Sequence, residues 1–167
     1  MGDKEFARGE SSQSEAAQPQ DYDLHYDGKN LRLYDPDGTM TGEWPGVSGR
    51  AGYQDPRFQG VVDKGPLPEG FYLARQSALQ TRPTGAWESI KGFFGRGTWP
   101  GGQASWGDYR VWLDPFRGTD TLGRSGFSIH GGAVPGSAGC IDLCGAMPSF
   151  ADAFRATGRD LVLRVQY

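Results

Sequence analysis

Cysteine is scarce in this chain, and the two that occur, Cys140 and Cys144, stand four residues apart. A bridge between them would close only a tiny loop and remove little unfolded-state entropy, so a disulfide framework is excluded and a free thiol is expected. Histidine is equally sparse, with only His25 and His130. The spacing of His25, His130, Cys140 and Cys144 matches no common zinc pattern, so neither metal nor cofactor is expected. Basic charge is not in excess: 17 Lys and Arg face 20 Asp and Glu, for a net charge of -3. Without a basic stripe to neutralise phosphates, a nucleic-acid partner is not expected. Long apolar runs are missing too. Nothing approaches the roughly 20 residues of a membrane span. Residues 1–20 are polar, with no apolar segment of the signal-peptide kind. The expectation is synthesis in the cytoplasm without a cleaved leader, any work elsewhere requiring a specialised secretion system.

What the chain has in quantity is turn formers, 27 glycines and 11 prolines in 167 residues. Few helical patterns accompany them, which predicts a mainly β fold of short strands joined by turns. Residues 1–20 hold too little apolar surface to offset ordering and are read as a disordered polar arm; residues 21–167 are read as one domain. Within it, Leu24/Tyr26, Leu31/Leu33 and Met40–Trp44 predict a three-stranded antiparallel meander, with turns at Asp27-Gly28 and Asp35–Gly38. The Lys64–Gly70 turn leads into a strand over 71–75. Further strands are predicted over 109–113, 127–130 and 161–165. Residues 81–104 contain six glycines and several aromatics. The spacing of Trp87, Ile90 and Phe94 predicts a short helix over 86–92. Met147, Phe150 and Phe154 recur at i, i+3 and i+7. With Pro148 in the first turn and Gly158 as the stop, they predict a helix over 147–157.

Chemistry concentrates in residues 126–144, where a strand ending in His130 runs through a loop of Gly, Pro and Ser to Cys140. A thiol is only partly ionised at neutral pH, and a nearby imidazole can take its proton and hold the thiolate as a nucleophile. The tetrahedral oxyanion such a nucleophile generates needs preorganised donors, most simply the backbone N–H groups of Gly139, Cys140 and Gly131. The second nitrogen of His130 needs a partner, either a carbonyl of the Gly131-Gly132 turn or the Ser137 hydroxyl. On these residues alone, an inert buried cysteine beside a packed histidine is the competing reading.

His130-Gly131 followed by Ser137-Ala-Gly-Cys-Ile141 resembles the catalytic signature of the L,D-transpeptidases, the YkuD-like domain, in which a histidine-glycine turn precedes a Ser-x-Gly-Cys motif. The arrangement is most similar to a branch found among type VI secretion effectors, in which His-Gly-Gly precedes Ser-x-Gly-Cys-Ile-Asp-Leu. Trp44 with Val47-Ser48-Gly49, the Gly65–Gly70 turn and Trp106-Gly-Asp-Tyr-Arg110 also look similar. The resemblance implies a β-sandwich of short antiparallel strands with one helix in the C-terminal half. It implies a domain acting on peptidoglycan stem peptides, with Cys140 as nucleophile, His130 as general base and Ser137 orienting the motif. The thioester formed on expulsion of a terminal D-alanine would pass to water, to a free D-amino acid or to a second stem. It further implies a toxin working in a target-cell periplasm, with a cognate immunity protein and a secretion-machine component as partners. This chain departs from the family pattern at three points. His130 and Cys140 are only ten residues apart, Ala138 replaces a histidine, and Asp142 replaces an arginine. The shortened loop favours small acceptors, hence carboxypeptidase action and D-amino-acid exchange over cross-linking. Arg110 becomes the candidate for a substrate carboxylate, with Trp106 and Asp142 as further substrate contacts. A cross-linking transpeptidase and a non-catalytic wall-binding module remain the alternatives.

Overall fold

The computed structural model describes residues 21–83, 99 and 102–167. The expected arm at 1–20 and helix at 86–92 lie outside these residues. The described chain is mainly β, as the turn-rich composition predicts. Its strands are β1 (Leu24–Tyr26), β2 (Asn30–Tyr34), β3 (Met40–Pro45), β4 (Val47–Ser48), β5 (Gly70–Thr81), β6 (Tyr109–Pro115), β7 (Phe127–His130), β8 (Ile141–Asp142) and β9 (Leu161–Val165). A five-residue helix, α1 (Gly102–Trp106), precedes β6, and α2 (Met147–Thr157) lies between β8 and β9. The range of α2 is the one that its apolar spacing predicts. Pro148 lies in its first turn, and Gly158 closes it at φ 64°.

The strands form one nine-stranded sheet in the order β3-β2-β1-β9-β5-β6-β7-β8-β4. Its two edge strands, β3 and β4, are neighbours in sequence, separated only by Gly46. The sheet therefore rolls until its edges meet, and the layered arrangement is one sheet folded over on itself. Gly46 sits at this seam. Its carbonyl accepts the Tyr26 hydroxyl at 3.2 Å, and its N–H donates to Lys29 O at 2.9 Å. The β1–β2–β3 meander is antiparallel as expected. Two pairings depart from the expected antiparallel pattern: β1 with β9, and β7 with β8, are parallel. A parallel neighbour needs a long crossover, and for β7–β8 the Gly131–Cys140 loop is that crossover.

The core fills the inside of the roll. Alternation sends Leu24 and Tyr26, Leu31 and Leu33, Val111 and Leu113, and Leu161, Leu163 and Val165 to one buried set. The helix α2 closes it with Met147, Phe150, Ala151 and Phe154. Phe150 meets Trp44 edge-on at 5.2 Å and stacks on Phe154 at 5.9 Å. The last turn of α2 is tied to β5 by Gln76, whose amide donates to Phe154 O at 2.6 Å and Arg159 O at 3.0 Å. Those bonds satisfy carbonyls that a helix end otherwise leaves open.

Phe154 is fully buried, and truncating it removes packing that neighbours cannot refill. Phe154→Ala is expected to destabilise the fold by about 3–5 kcal/mol, read as a lower urea midpoint at unchanged slope.

Candidate functional site

Strand β7 has all four residues buried. Alternation puts Phe127 and Ile129 into the core, so Ser128 and His130 point to the other face of the sheet. Cross-strand register fills that face. Arg110 on β6 pairs with His130 and Trp112 with Ser128. On the other side His130 pairs with Asp142 of β8. The two residues before β8 in sequence are Gly139 and Cys140, which places the thiol beside Ser128.

Cys140 is a free thiol and is 3% exposed. The Ser128 hydroxyl donates to its Sγ at 3.3 Å, and Gly126 O lies 3.9 Å away. Its carbonyl accepts from the Ser48 hydroxyl at 2.6 Å, and Ser48 Oγ in turn accepts from Leu67 N–H at 2.8 Å. The loop before it needs glycine at 139. Gly139 adopts φ 70°, and a Cβ there would stand 2.8 Å from Arg124 Nη2. Arg124 is itself buried and donates to the carbonyls of Gln59, Gly65 and Pro66 at 2.5–2.9 Å, locking the Gly65–Gly70 turn beneath the loop.

His130 is wholly buried, and its Nδ1 lies 2.5 Å from Gly131 O. A carbonyl only accepts, so Nδ1 carries the proton and Nε2 presents its lone pair in the neutral ring. Of the two partners expected for this nitrogen, the turn carbonyl holds it and the Ser137 hydroxyl does not. Nε2 is buried and, among the described residues, has no hydrogen-bond partner of standard geometry. The thiol and ring stand close enough for each to shift the other's titration. Burial by itself would push the Cys140 thiol up. The His130 ring and the Ser128 hydroxyl outweigh it and bring the thiol below its ordinary value. For His130, burial would lower the value, but Cys140, the Gly131 carbonyl and the Asp142 charge raise it. Opposite shifts of this kind favour a thiolate beside an imidazolium.

The remaining candidates fall into two groups. Arg110 and Trp106 lie against the pair. The Arg110 guanidinium is 5% exposed and sits 3.9 Å from the Trp99 ring centroid, with Trp112 at 4.8 Å and Trp106 at 4.9 Å. Its Nε donates to Gln80 Oε1 at 2.7 Å. Burial lowers its titration and the Cys140 charge opposes that. The Trp106 ring lies 4.9 Å from the His130 ring. Behind it, α1 clamps the loop after His130: Gly131 N–H donates to Trp106 O at 3.1 Å and Ala133 N–H to Ala104 O at 2.8 Å.

The other group sits differently from expectation. Gly139 N–H donates to Gly65 O at 2.9 Å and Gly131 N–H to Trp106 O, so neither is free to meet an oxyanion. Cys140 N–H reaches Ser137 O at only 3.4 Å and is the donor left for that task. Ser137 acts through its carbonyl, which also accepts Gly49 N–H at 3.0 Å. Asp142 is wholly buried, with its two oxygens on Gly136 N–H at 3.2 Å and Cys144 N–H at 2.8 Å. A carboxylate so held cannot contact substrate. Cys144 is half-buried, and burial and Asp142 push it up to about 11, the opposite of Cys140.

Ser128, Ser48 and Arg124 escaped sequence reasoning. Ser128 had a signal, since it alternates with His130 on one strand, and Ser48 stood within the similar Val47-Ser48-Gly49 stretch without a role; Arg124 acts on backbone atoms far along the chain and had none. Three clefts of about 380–450 Å³ are lined by chain neighbours of the pair, and Cys140 and His130 themselves line none of the three. One is lined by Gly131 and Gly132, one by Ser137 and Ala138, and one by Gly126 and Phe127, whose strand end lies nearest the thiol. Among the described residues no helix is long and apolar enough to cross a membrane.

Fold and site together define a mainly β protein carrying a buried cysteine–histidine pair on the outer face of a rolled sheet. The fold has a solved relative in shape: the structure of Bd1075 from Bdellovibrio bacteriovorus superposes with a TM-score of 0.51 at 15% identity. The match covers 87% of this chain and 47% of that one, so this chain spans about half the length of that structure. No family model and no curated protein matches the sequence.

The Ser128 hydroxyl is one of the groups that holds the thiol low. Ser128→Ala is expected to fold, to raise the Cys140 pKa and to slow its alkylation by iodoacetamide at neutral pH several-fold. Peptide mapping by mass spectrometry reads Cys140 apart from Cys144. An unchanged Cys140 rate would remove Ser128 from the site.

Proposed function

We propose that the protein is a cysteine acyl-transfer enzyme of the L,D-transpeptidase type, acting on peptidoglycan stem peptides chiefly as an L,D-carboxypeptidase. The observation that carries the reading is the Cys140–His130 pair: a buried thiol shifted down, a ring shifted up, and the ring's tautomer fixed by the Gly131 carbonyl. The His-Gly and Ser-x-Gly-Cys resemblance supplies the substrate class.

In this mechanism His130 Nε2 takes the Cys140 proton and the thiolate attacks the carbonyl carbon of the third stem residue. The C–S bond forms, and Cys140 N–H meets the oxyanion. The C–N bond to the terminal D-alanine then breaks, with His130 returning the proton to the leaving amine. Water, deprotonated by His130, attacks the thioester; the C–O bond forms, the C–S bond breaks and the thiol is restored. A free D-amino acid in place of water gives exchange. Arg110, caged by tryptophans beside His130, is the candidate for a substrate carboxylate, and Trp106 walls the site. We extend the reading to delivery as a type VI effector toxin into a target-cell periplasm, with an immunity protein in the producer. Expression with a grafted signal peptide should swell or lyse the host, and expression without one should not.

Incubation with purified muropeptides, followed by mass spectrometry, should convert tetrapeptide to tripeptide stems with loss of D-alanine. Dominant 3–3 dimers would instead make the protein a cross-linking enzyme. Cys140→Ala should abolish turnover and keep the melting temperature within a few degrees, while Cys144→Ala should keep most activity. An intact fold with full turnover in Cys140→Ala would overturn the nucleophile assignment. A Cys140 that alkylates as slowly as an ordinary buried thiol would favour a wall-binding module.

A further inference from the structure

We propose that Asp142 is a positioning residue: it supplies the negative charge that complements a protonated His130, while the Gly131 carbonyl alone orients the ring. This rests on reading Cys140 and His130 as the reacting pair.

The placement comes from sheet register. Arg110, His130 and Asp142 occupy one row across β6, β7 and β8 and share a face. Parallel neighbours lie roughly 4.8 Å apart in the sheet, so the Asp142 carboxylate stands one strand from the imidazole. It is fully buried. Among the described residues, none of the Lys or Arg ion pairs includes it. A buried carboxylate held only by neutral donors is costly unless a positive charge is near. Gly136 N–H and Cys144 N–H satisfy its hydrogen-bonding oxygens but carry only partial charge. The imidazolium beside it carries a full one.

The other groups around the row fit this assignment. His130 faces the Cys140 thiol, the Arg110 guanidinium and the Trp106 ring. Arg110 is a cation and by itself disfavours a second positive charge on His130; Asp142 on the opposite flank offsets it. Asp142 also acts on the Tyr26 hydroxyl and the Cys144 thiol: burial is the main reason both titrate high, with Asp27 and then Asp142 adding to it at Tyr26 and Asp142 adding to it at Cys144. Both carboxylate oxygens are tied to backbone, so Asp142 cannot swing to Nδ1, and Nδ1 is taken by Gly131 O. In a triad one carboxylate holds the ring and balances its charge. Here the carbonyl of Gly131 does the first task and Asp142 the second.

The test is the pH dependence of Cys140 alkylation by iodoacetamide in the full chain, wild type against Asp142→Asn, with Cys140 followed by peptide mapping. Removing the negative charge makes the imidazolium less favourable, so His130 loses its proton at lower pH and the range in which thiolate and imidazolium coexist closes from its alkaline side. The alkaline-side midpoint of the rate profile, set by His130, is expected to move down by about one to two pH units. A uniform change in rate with an unmoved midpoint, or a change in melting temperature alone, would mean that Asp142 serves only the backbone and would overturn the proposal. Should Asp142→Asn fail to fold, Asp142→Ser keeps an acceptor for Cys144 N–H and carries the same comparison. If neither charge-free variant folds, the role is structural and the proposal is overturned. A wild-type Cys140 with the profile of an ordinary thiol would sink the reacting-pair reading itself, and this inference with it; that outcome is visible before any variant is compared.

Discussion

The hydrogen bond between His130 Nδ1 and the Gly131 carbonyl is the constraint around which the site is arranged. It fixes the proton on Nδ1 and so leaves the lone pair of Nε2 for the thiol. That bond depends in turn on where Gly131 is held. Its N–H is anchored by the Trp106 carbonyl at the end of α1, and His130 O accepts Leu143 N–H at 2.8 Å. The ring is therefore positioned by backbone on both sides rather than by a side chain that could rotate. A site that leaves the Nε2 lone pair beside a thiol is poised to take a proton.

Sheet alternation explains why polar groups can gather here without damaging the core. On β7 the odd residues complete the hydrophobic interior and the even ones the site. The same rule applied to β6 puts Val111 and Leu113 inside, and Arg110 and Trp112 outside. Three tryptophan rings then surround the Arg110 guanidinium, whose Nε is held by Gln80. Contact with aromatic rings is one way a buried cation is accommodated without an ion pair.

Much of this was legible in the residues. The helix over 147–157 announced itself through Met147, Phe150, Phe154, Pro148 and Gly158, all local signals. The meander did so through alternation and its Asp-Gly turns. Cys140 and His130 stood out because thiols and imidazoles are few here and share one glycine-rich stretch. What was hidden depended on contacts that no local pattern encodes. The two-residue strands β4 and β8 are too short to show a period, and they exist because Val47 and Ser48 meet Asp142 and Ile141 across the roll. The engagement of Gly139 N–H by Gly65 O, and of Asp142 by two amides, turned an oxyanion donor and a substrate contact into internal supports. Resemblance identifies residue types; it does not say which of their hydrogen bonds are already taken.

The bridge formed by Ser48 Oγ has a consequence for how the protein comes into being. It joins Leu67 N–H to the carbonyl of Cys140, a residue 92 positions beyond Ser48, on the strand pair that brings the sheet's edges together. Contacts that span so much chain must await closure of a long loop, and topologies built on them fold slowly. Until the roll closes, Cys140 is a solvated thiol of ordinary acidity, without Ser128, His130 or its anchored carbonyl. The grouping of Cys140 with Ser128 and His130 is thus a property of the finished topology, absent from a chain still open at the seam.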